Sequence, residues 1–150
     1  MYPKPEVAGF VTANFEPVRV HVREHGPEYK RLAERYTVQW TPTILVLDPL
    51  GEERHRIEGF LPADDFLSQL SLGLAKVAFQ RGDHAEAERR FREIVDRFPS
   101  TDAAPEALYW AGVSKYKGSG DASALGATHA AFRDRYQDTT WAKKASVWGQ

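Results

Sequence analysis

Val38-Gln39-Trp40-Thr41-Pro42-Thr43-Ile44-Leu45-Val46-Leu47-Asp48-Pro49-Leu50-Gly51 is the stretch that decides the fold. Thr43 to Leu47 is a continuous apolar run, as expected of a strand covered on both sides. Asp48-Pro49-Leu50-Gly51 places Pro and Gly where a turn wants them. Glu53 to Gly59 then reads as the return strand of a hairpin. Pro62-Ala63-Asp64-Asp65 opens a helix with Phe66, Leu67 and Leu70 inward. Upstream, Tyr29, Leu32, Ala33 and Tyr36 mark one helical face, and Val7, Phe10, Val11 and Phe15 another. Between these helices Val18, Val20 and Val22 alternate with Arg19, His21 and Arg23, the period of a strand with one polar face. The predicted order over residues 1–70 is α–β–α–β–β–α.

Residues 71–150 are helix-period throughout and contain an internal repeat. Gly82-Asp83 recurs as Gly120-Asp121, an offset of 38 residues. The same offset carries Ile94 onto Phe132, Phe98 onto Tyr136, Ala107 onto Ala145 and Trp110 onto Trp148. Gly82 suits a left-handed helix end. Asp83 with Glu86 reads as a capping box for the next helix. Ser100-Thr101-Asp102 offers a further cap, and Pro105 suits an early helical position. Two helical hairpins are expected, about 74–99 and 103–137, with a final helix from about 140.

Composition narrows the chemistry. The chain has 150 residues and no cysteine. A disulfide, a thiolate zinc site, an iron–sulfur cluster and a thiol nucleophile are therefore excluded within these residues. Net charge is −1, so no overall field draws in nucleic acid. Residues 1–70 carry 8 Lys+Arg against 11 Asp+Glu, and the remainder 12 against 10. No apolar run approaches the roughly 20 residues of a membrane span. No secretory leader pattern opens the sequence. The expectation is a cytoplasmic protein, or a periplasmic one if the natural N-terminus lies further upstream.

The stretch from Val38 to Gly51, with Gly59 and Phe60 after it, resembles the C-terminal half of the thioredoxin family. Thr41-Pro42 fits the slot of that family's cis-proline. Tyr2-Pro3-Lys4-Pro5-Glu6-Val7 and Phe15-Glu16-Pro17-Val18-Arg19-Val20 resemble the segment after its active-site helix. The resemblance implies that the family's Cys-x-x-Cys motif, and the central strand leading into it, would lie upstream of Tyr2. The empty sheet position is then closed by direct pairing, by a partner, or by a longer natural chain. The second half resembles tetratricopeptide repeats, through Leu74, Ala75, Ala78, Ala87, Phe91 and Pro99. The resemblance implies a curved surface that binds peptides or proteins. The expected class is α+β. A truncated thioredoxin-like unit (1–70) is followed by an all-α tetratricopeptide-like part (71–150) with two helical hairpins and a terminal helix.

Trp40, Thr41 and Pro42 are the first candidate partner-binding residues. The resemblance implies that the backbone before the proline pairs with an extended segment, a form of strand addition. Trp40 stands where the family usually has a small residue, so it either covers the site or packs in the core. Tyr109, Tyr116, Trp141 and Trp148 form a second candidate set. Trp148 lies two residues from the end of the sequence, so one apolar face of the last helix is expected to meet a partner or a second copy. His21, His25, His55, His84 and His129 show no metal-ligand spacing, although His21 and His55 would share a face on neighbouring strands. Asp64-Asp65 and Glu52-Glu53 read as solvated acids rather than catalytic pairs. Arg89-Arg90-Phe91-Arg92 reads as a solvated helix face around a core Phe91. Lys117-Gly118-Ser119-Gly120 reads as a flexible loop without a phosphate-binding pattern. No catalytic, cofactor or metal residue is predicted, and neither a nucleic-acid, a membrane nor a small-molecule partner. The expected function is a redox-inactive interaction or assembly subunit, binding protein partners or itself. The alternative is the C-terminal part of a thiol–disulfide oxidoreductase whose cysteines lie upstream. A weaker third reading is a chaperone-like holdase.

Overall fold

A computed structural model describes residues 4–150. Tyr2 and Pro3, part of the resemblance noted above, lie outside the described residues. The chain forms two compact units, the first ending at Ala63 and the second running from Asp64 to Gln150.

The first unit begins with α1 (Pro5–Asn14), where Pro5 occupies the first turn and Val7 is buried. Next comes α2 (Gly26–Tyr36), then β1 (Thr43–Leu47) and β2 (Glu53–Glu58). The strands form an antiparallel two-stranded sheet with Thr43 opposite Glu58, Ile44 opposite Ile57 and Leu45 opposite Arg56. A bulge shifts the register after Val46. Val46 and Ile57 are the buried pair of this hairpin. Its turn is built on Asp48, whose carboxylate accepts from the Glu52 and Leu50 N–H groups and from Arg54. These donors, the Glu52 amide first, hold the Asp48 carboxyl below the usual carboxylate range.

The strand expected over Val18–Val22 does not form. Residues 15–25 are irregular and end in a turn, with Val18 85% exposed. The period-2 pattern is present, but a strand exists only through its neighbour's hydrogen bonds, and β1 pairs only with β2 among the described residues. The turn uses imidazoles instead. His21 Nδ1 accepts from the Arg23 and Glu24 amides, and His25 Nδ1 accepts from the His21 amide.

The end of α2 is fixed by Arg56 of β2. Its guanidinium donates to the carbonyl oxygens of Tyr36 and, at 3.1 Å, Thr37, while Glu53 holds it from the other side at 2.6 Å. Thr37 adopts the left-handed conformation (φ 53°), an unusual one for a β-branched residue. Two carbonyls on one guanidinium explain how the chain is held there. Tyr36 Oη donates to the Gly51 carbonyl at 2.7 Å, tying the helix to the hairpin turn.

The second unit is helical: α3 (Ala63–Gln80), α4 (His84–Arg97), α5 (Ala103–Ser119), α6 (Ser123–Asp134) and α7 (Thr140–Ala145), closed by a 3₁₀ turn over Ser146–Gly149. The helix expected to open at Pro62 and the one expected from about residue 74 are one continuous α3. Its apolar positions from Phe66 to Ala78 keep one helical register with no proline between them, and Gly73 is buried within the helix. One core runs through Leu72, Ala75 and Ala78 of α3, Ala87, Phe91 and Ile94 of α4, Ala107 and Ala111 of α5, Phe132 of α6 and Ala145 of α7. The 38-residue correspondence is visible in environment as well as identity. Gly82 and Gly120 both take positive φ after a helix, Ile94 and Phe132 are both buried, and Ala107 and Ala145 are both fully buried.

Two local expectations are corrected. Only half of the capping box forms: Asp83 Oδ1 accepts from the Glu86 amide at 3.2 Å, but the Asp83 amide already donates to Ala78 O. The Glu86 carboxylate is thereby released to Arg89 and Arg90. Lys117, Gly118 and Ser119 are the last residues of α5, not a loop, and only Gly120 leaves the helix. Ser119 Oγ donates to Lys115 O, which keeps that turn helical.

Close approach of α5 and α6 rests on Gly112. A Cβ there would lie 2.0 Å from Thr128 Oγ1 and 2.8 Å from Thr128 Cβ. Gly112→Ala is expected to destabilise the helical unit by about 1–3 kcal/mol, the range for overpacking a filled core. Thr128→Ala in the same chain should recover part of that loss. Urea unfolding of the three variants measures both.

Candidate functional site

The candidate residues fall in two places. Trp40, Thr41 and Pro42 lie together at the entrance to β1. The Thr41–Pro42 peptide bond is cis. Thr43 Oγ1 donates to Trp40 O at 2.6 Å, which folds the chain back just before the strand. Trp40 is 67% exposed, Thr41 is exposed and Pro42 half-buried. Trp40 therefore does not pack in a core.

The backbone defines what this edge presents. The Gly59 amide donates to Pro42 O at 2.8 Å, so Pro42 and Gly59 form a hydrogen-bonded pair. In an antiparallel ladder bonded and non-bonded pairs alternate. Ile44 then bonds to Ile57, whereas the N–H and C=O of Thr43 and Leu45 turn away from β2. Among the described residues, no hydrogen bond reaches the Thr41 peptide groups either. Thr41, Thr43 and Leu45 thus offer one row of backbone donors and acceptors along the open side of β1. Continuing the register places Phe60 at the same end of the hairpin as Trp40, and Phe60 is 63% exposed. Two large apolar side chains flank the start of the open row. Phe60 was not singled out from sequence. The signal for it was Gly59, whose positive φ (85°) ends β2 and lets the next residue stand clear.

The second candidate set lies in the helical unit. Tyr109 stacks on Trp148 with ring centroids 4.8 Å apart and meets Trp141 at 5.4 Å. Trp110 packs edge-on to Phe79 at 5.3 Å. Lys144 Nζ lies 4.2 Å from the Trp141 ring centre. Tyr109, Trp141 and Trp148 are half-buried and rest on the helical core, with Tyr109 in contact with both tryptophans. Tyr116 stands apart on the last turn of α5 and is exposed, as is Val147.

The other sequence candidates are accounted for locally. His21 and His55 do not sit on neighbouring strands, because the segment of His21 is not a strand. Among the described residues no group of three His, Asp or Glu could hold a metal ion. Phe91 is fully buried, and Arg89, Arg90 and Arg92 pair with Glu86, Glu93 and Glu88. This neutralises the basic patch. Asp65 and Asp64 lie in the first turn of α3, where the helix dipole favours acids. Among the described residues no helix is long and apolar enough to cross a membrane.

Residues 2–73 match the family model of a thioredoxin-like domain, just under half of the 150 residues. No curated protein and no solved structure matches the chain.

Glu86 supplies a pH prediction for the neutralised patch. The Arg89 guanidinium, then Arg90, lower its pKa from 4.5 to about 2. A depressed carboxyl contributes stability that is present above its unfolded pKa and lost as pH falls through the folded one. The contribution should fade between about pH 4.5 and 2. Glu86→Gln should remove this part of the acid transition. NMR titration of the Glu86 carboxyl and acid unfolding of both proteins check it.

Proposed function

We propose that this chain is a non-enzymatic protein-interaction module. It takes an extended segment of a partner protein along the open side of β1, with Trp40 and Phe60 as apolar anchors. The observation that carries the reading is the outward row of Thr41, Thr43 and Leu45 peptide groups beside an exposed Trp40. Strand addition to such a row draws its affinity from main-chain hydrogen bonds and its selectivity from flanking side chains. Exposed aromatic residues next to a backbone recognition row are where binding energy concentrates. The helical unit contributes a repeat of tetratricopeptide type, supported by the matched environments at an offset of 38 residues. On this reading it serves as the scaffold that completes the subunit. Protein or self-association is the mode of action, with no redox centre in these 150 residues.

The match of residues 2–73 to a thioredoxin-like domain favours one second reading. In it the same edge holds a client for thiol–disulfide exchange, with both cysteines supplied from outside these residues. The two readings differ in their dependence on thiols.

The test uses a fluorescein-labelled peptide of alternating Val and Thr. Anisotropy should rise on adding the protein, without any dependence on thiol reductant. Trp40→Ala and Phe60→Ala should each weaken binding by about tenfold or more, equivalent to about 1.4 kcal/mol. No binding, or binding indifferent to both substitutions, would overturn the proposal.

A further inference from the structure

The open row on β1 has a counterpart elsewhere in the same unit. Val18, Arg19 and Val20 are not part of a helix, strand or turn, and among the described residues no hydrogen bond reaches their peptide groups. Their sequence keeps strand period through Val22, with Val18 85% and Val22 44% exposed. Val18–Val20 thus leaves peptide groups without a partner among the described residues, beside the exposed Val18. Val18 to Val22 is long enough to span the row of Thr41, Thr43 and Leu45.

Charge favours the match. Residues 17–23 carry Arg19 and Arg23 and no acid, whereas the hairpin 43–58 carries four acids against two arginines. The segment is net +2 between the flanking Glu16 and Glu24, and the hairpin is net −2. β1 itself has no charged residue. It lacks the lysine or inward charge with which proteins usually discourage edge pairing.

We propose that the occupant of the β1 edge is the Val18–Val22 segment of a second copy of this chain. The exchange is reciprocal: each copy lends its segment to the other, so both edges close in one isologous dimer. Within one copy the segment runs into the His21–His25 turn without pairing to β1. In the dimer Val18, Val20 and Val22 cover the apolar side of the sheet, and Arg19 and Arg23 lie toward Glu52, Glu53 and Glu58. This inference rests on the edge reading above and specifies its occupant.

Sedimentation equilibrium of the full chain and amide hydrogen exchange by NMR test it together. The expected result is a concentration-dependent dimer in which the Thr43, Leu45 and Val20 amides are protected. Val20→Pro removes a donor the monomer does not use. It should shift the dimer dissociation constant upward by about tenfold or more and unprotect Leu45. Arg19→Glu with Arg23→Glu should weaken the dimer without touching β1, which guards against a misfolded proline variant. A monomer at every concentration, or a dimer indifferent to all three substitutions, would overturn the inference. The Val-Thr peptide separates the two claims. If the chain is monomeric and the peptide protects Leu45, only the choice of occupant fails. If the peptide leaves Leu45 unprotected in a monomer, the edge reading fails with it.

Discussion

Among the described residues β1 is hydrogen-bonded on one side only, and the character of the first unit follows from that. A strand inside a sheet satisfies its outward peptide groups on both flanks. Here β2 takes the Ile44 side, and the groups of Thr43 and Leu45 face away. Burial on this small hairpin is limited to Val46 and Ile57. A two-stranded sheet is marginal by itself, so the unit leans on polar fixings. Arg56 gathers the end of α2, Tyr36 Oη reaches the turn, and Asp48 organises that turn. These bonds fix the end of α2 and the hairpin turn, and none of them lies on the open side of β1.

The helical unit solves the opposite problem. Its core is made largely of alanine at the helix contacts, with Phe91, Ile94, Leu72 and Phe132 filling the space between. Small residues let the helices approach closely, and Gly112 against Thr128 is the extreme case. The larger rings collect at the far end, where Trp148 stacks on Tyr109 and Trp141 meets the same ring at a tilt. Lys144 over Trp141 presents a charge to solvent there.

Sequence pattern read the two units unequally. Helical period, Gly-Asp punctuation and the offset of 38 residues located α4, α5 and α6, because those signals are local and the packing that rewards them is nearby. The hairpin was also legible, since Asp48-Pro49-Leu50-Gly51 specifies the turn and Thr43–Leu47 the strand. Val18–Val22 misled because alternation reports what a segment could pair with, not whether a partner is there. The capping box at Asp83 half-failed for a similar reason. Ala78 O had already taken the amide that Glu86 would have capped, and Glu86 then found arginines. Of the candidate site, Trp40 was legible as a large residue in an unusual slot. Phe60 was not, because its exposure depends on the conformation of Gly59 and on a register that only the hairpin defines.

The exposed and the covered aromatics therefore carry different meanings. Trp148 and Trp141 looked like docking residues because they are large and near the end of the sequence. Each packs against Tyr109 and is half-buried, which accounts for these rings locally. Trp40 and Phe60 have no such account. They flank unpaired peptide groups, and burying both would remove apolar surface worth about 25 cal/mol per Å² from water. Satisfying the backbone row alone would exchange water for peptide at little net gain. Covering the rings alone would lack direction. The two together would supply affinity and register at one place, and this is the ground on which we propose the β1 edge, rather than the aromatic end of the helices, for a partner strand.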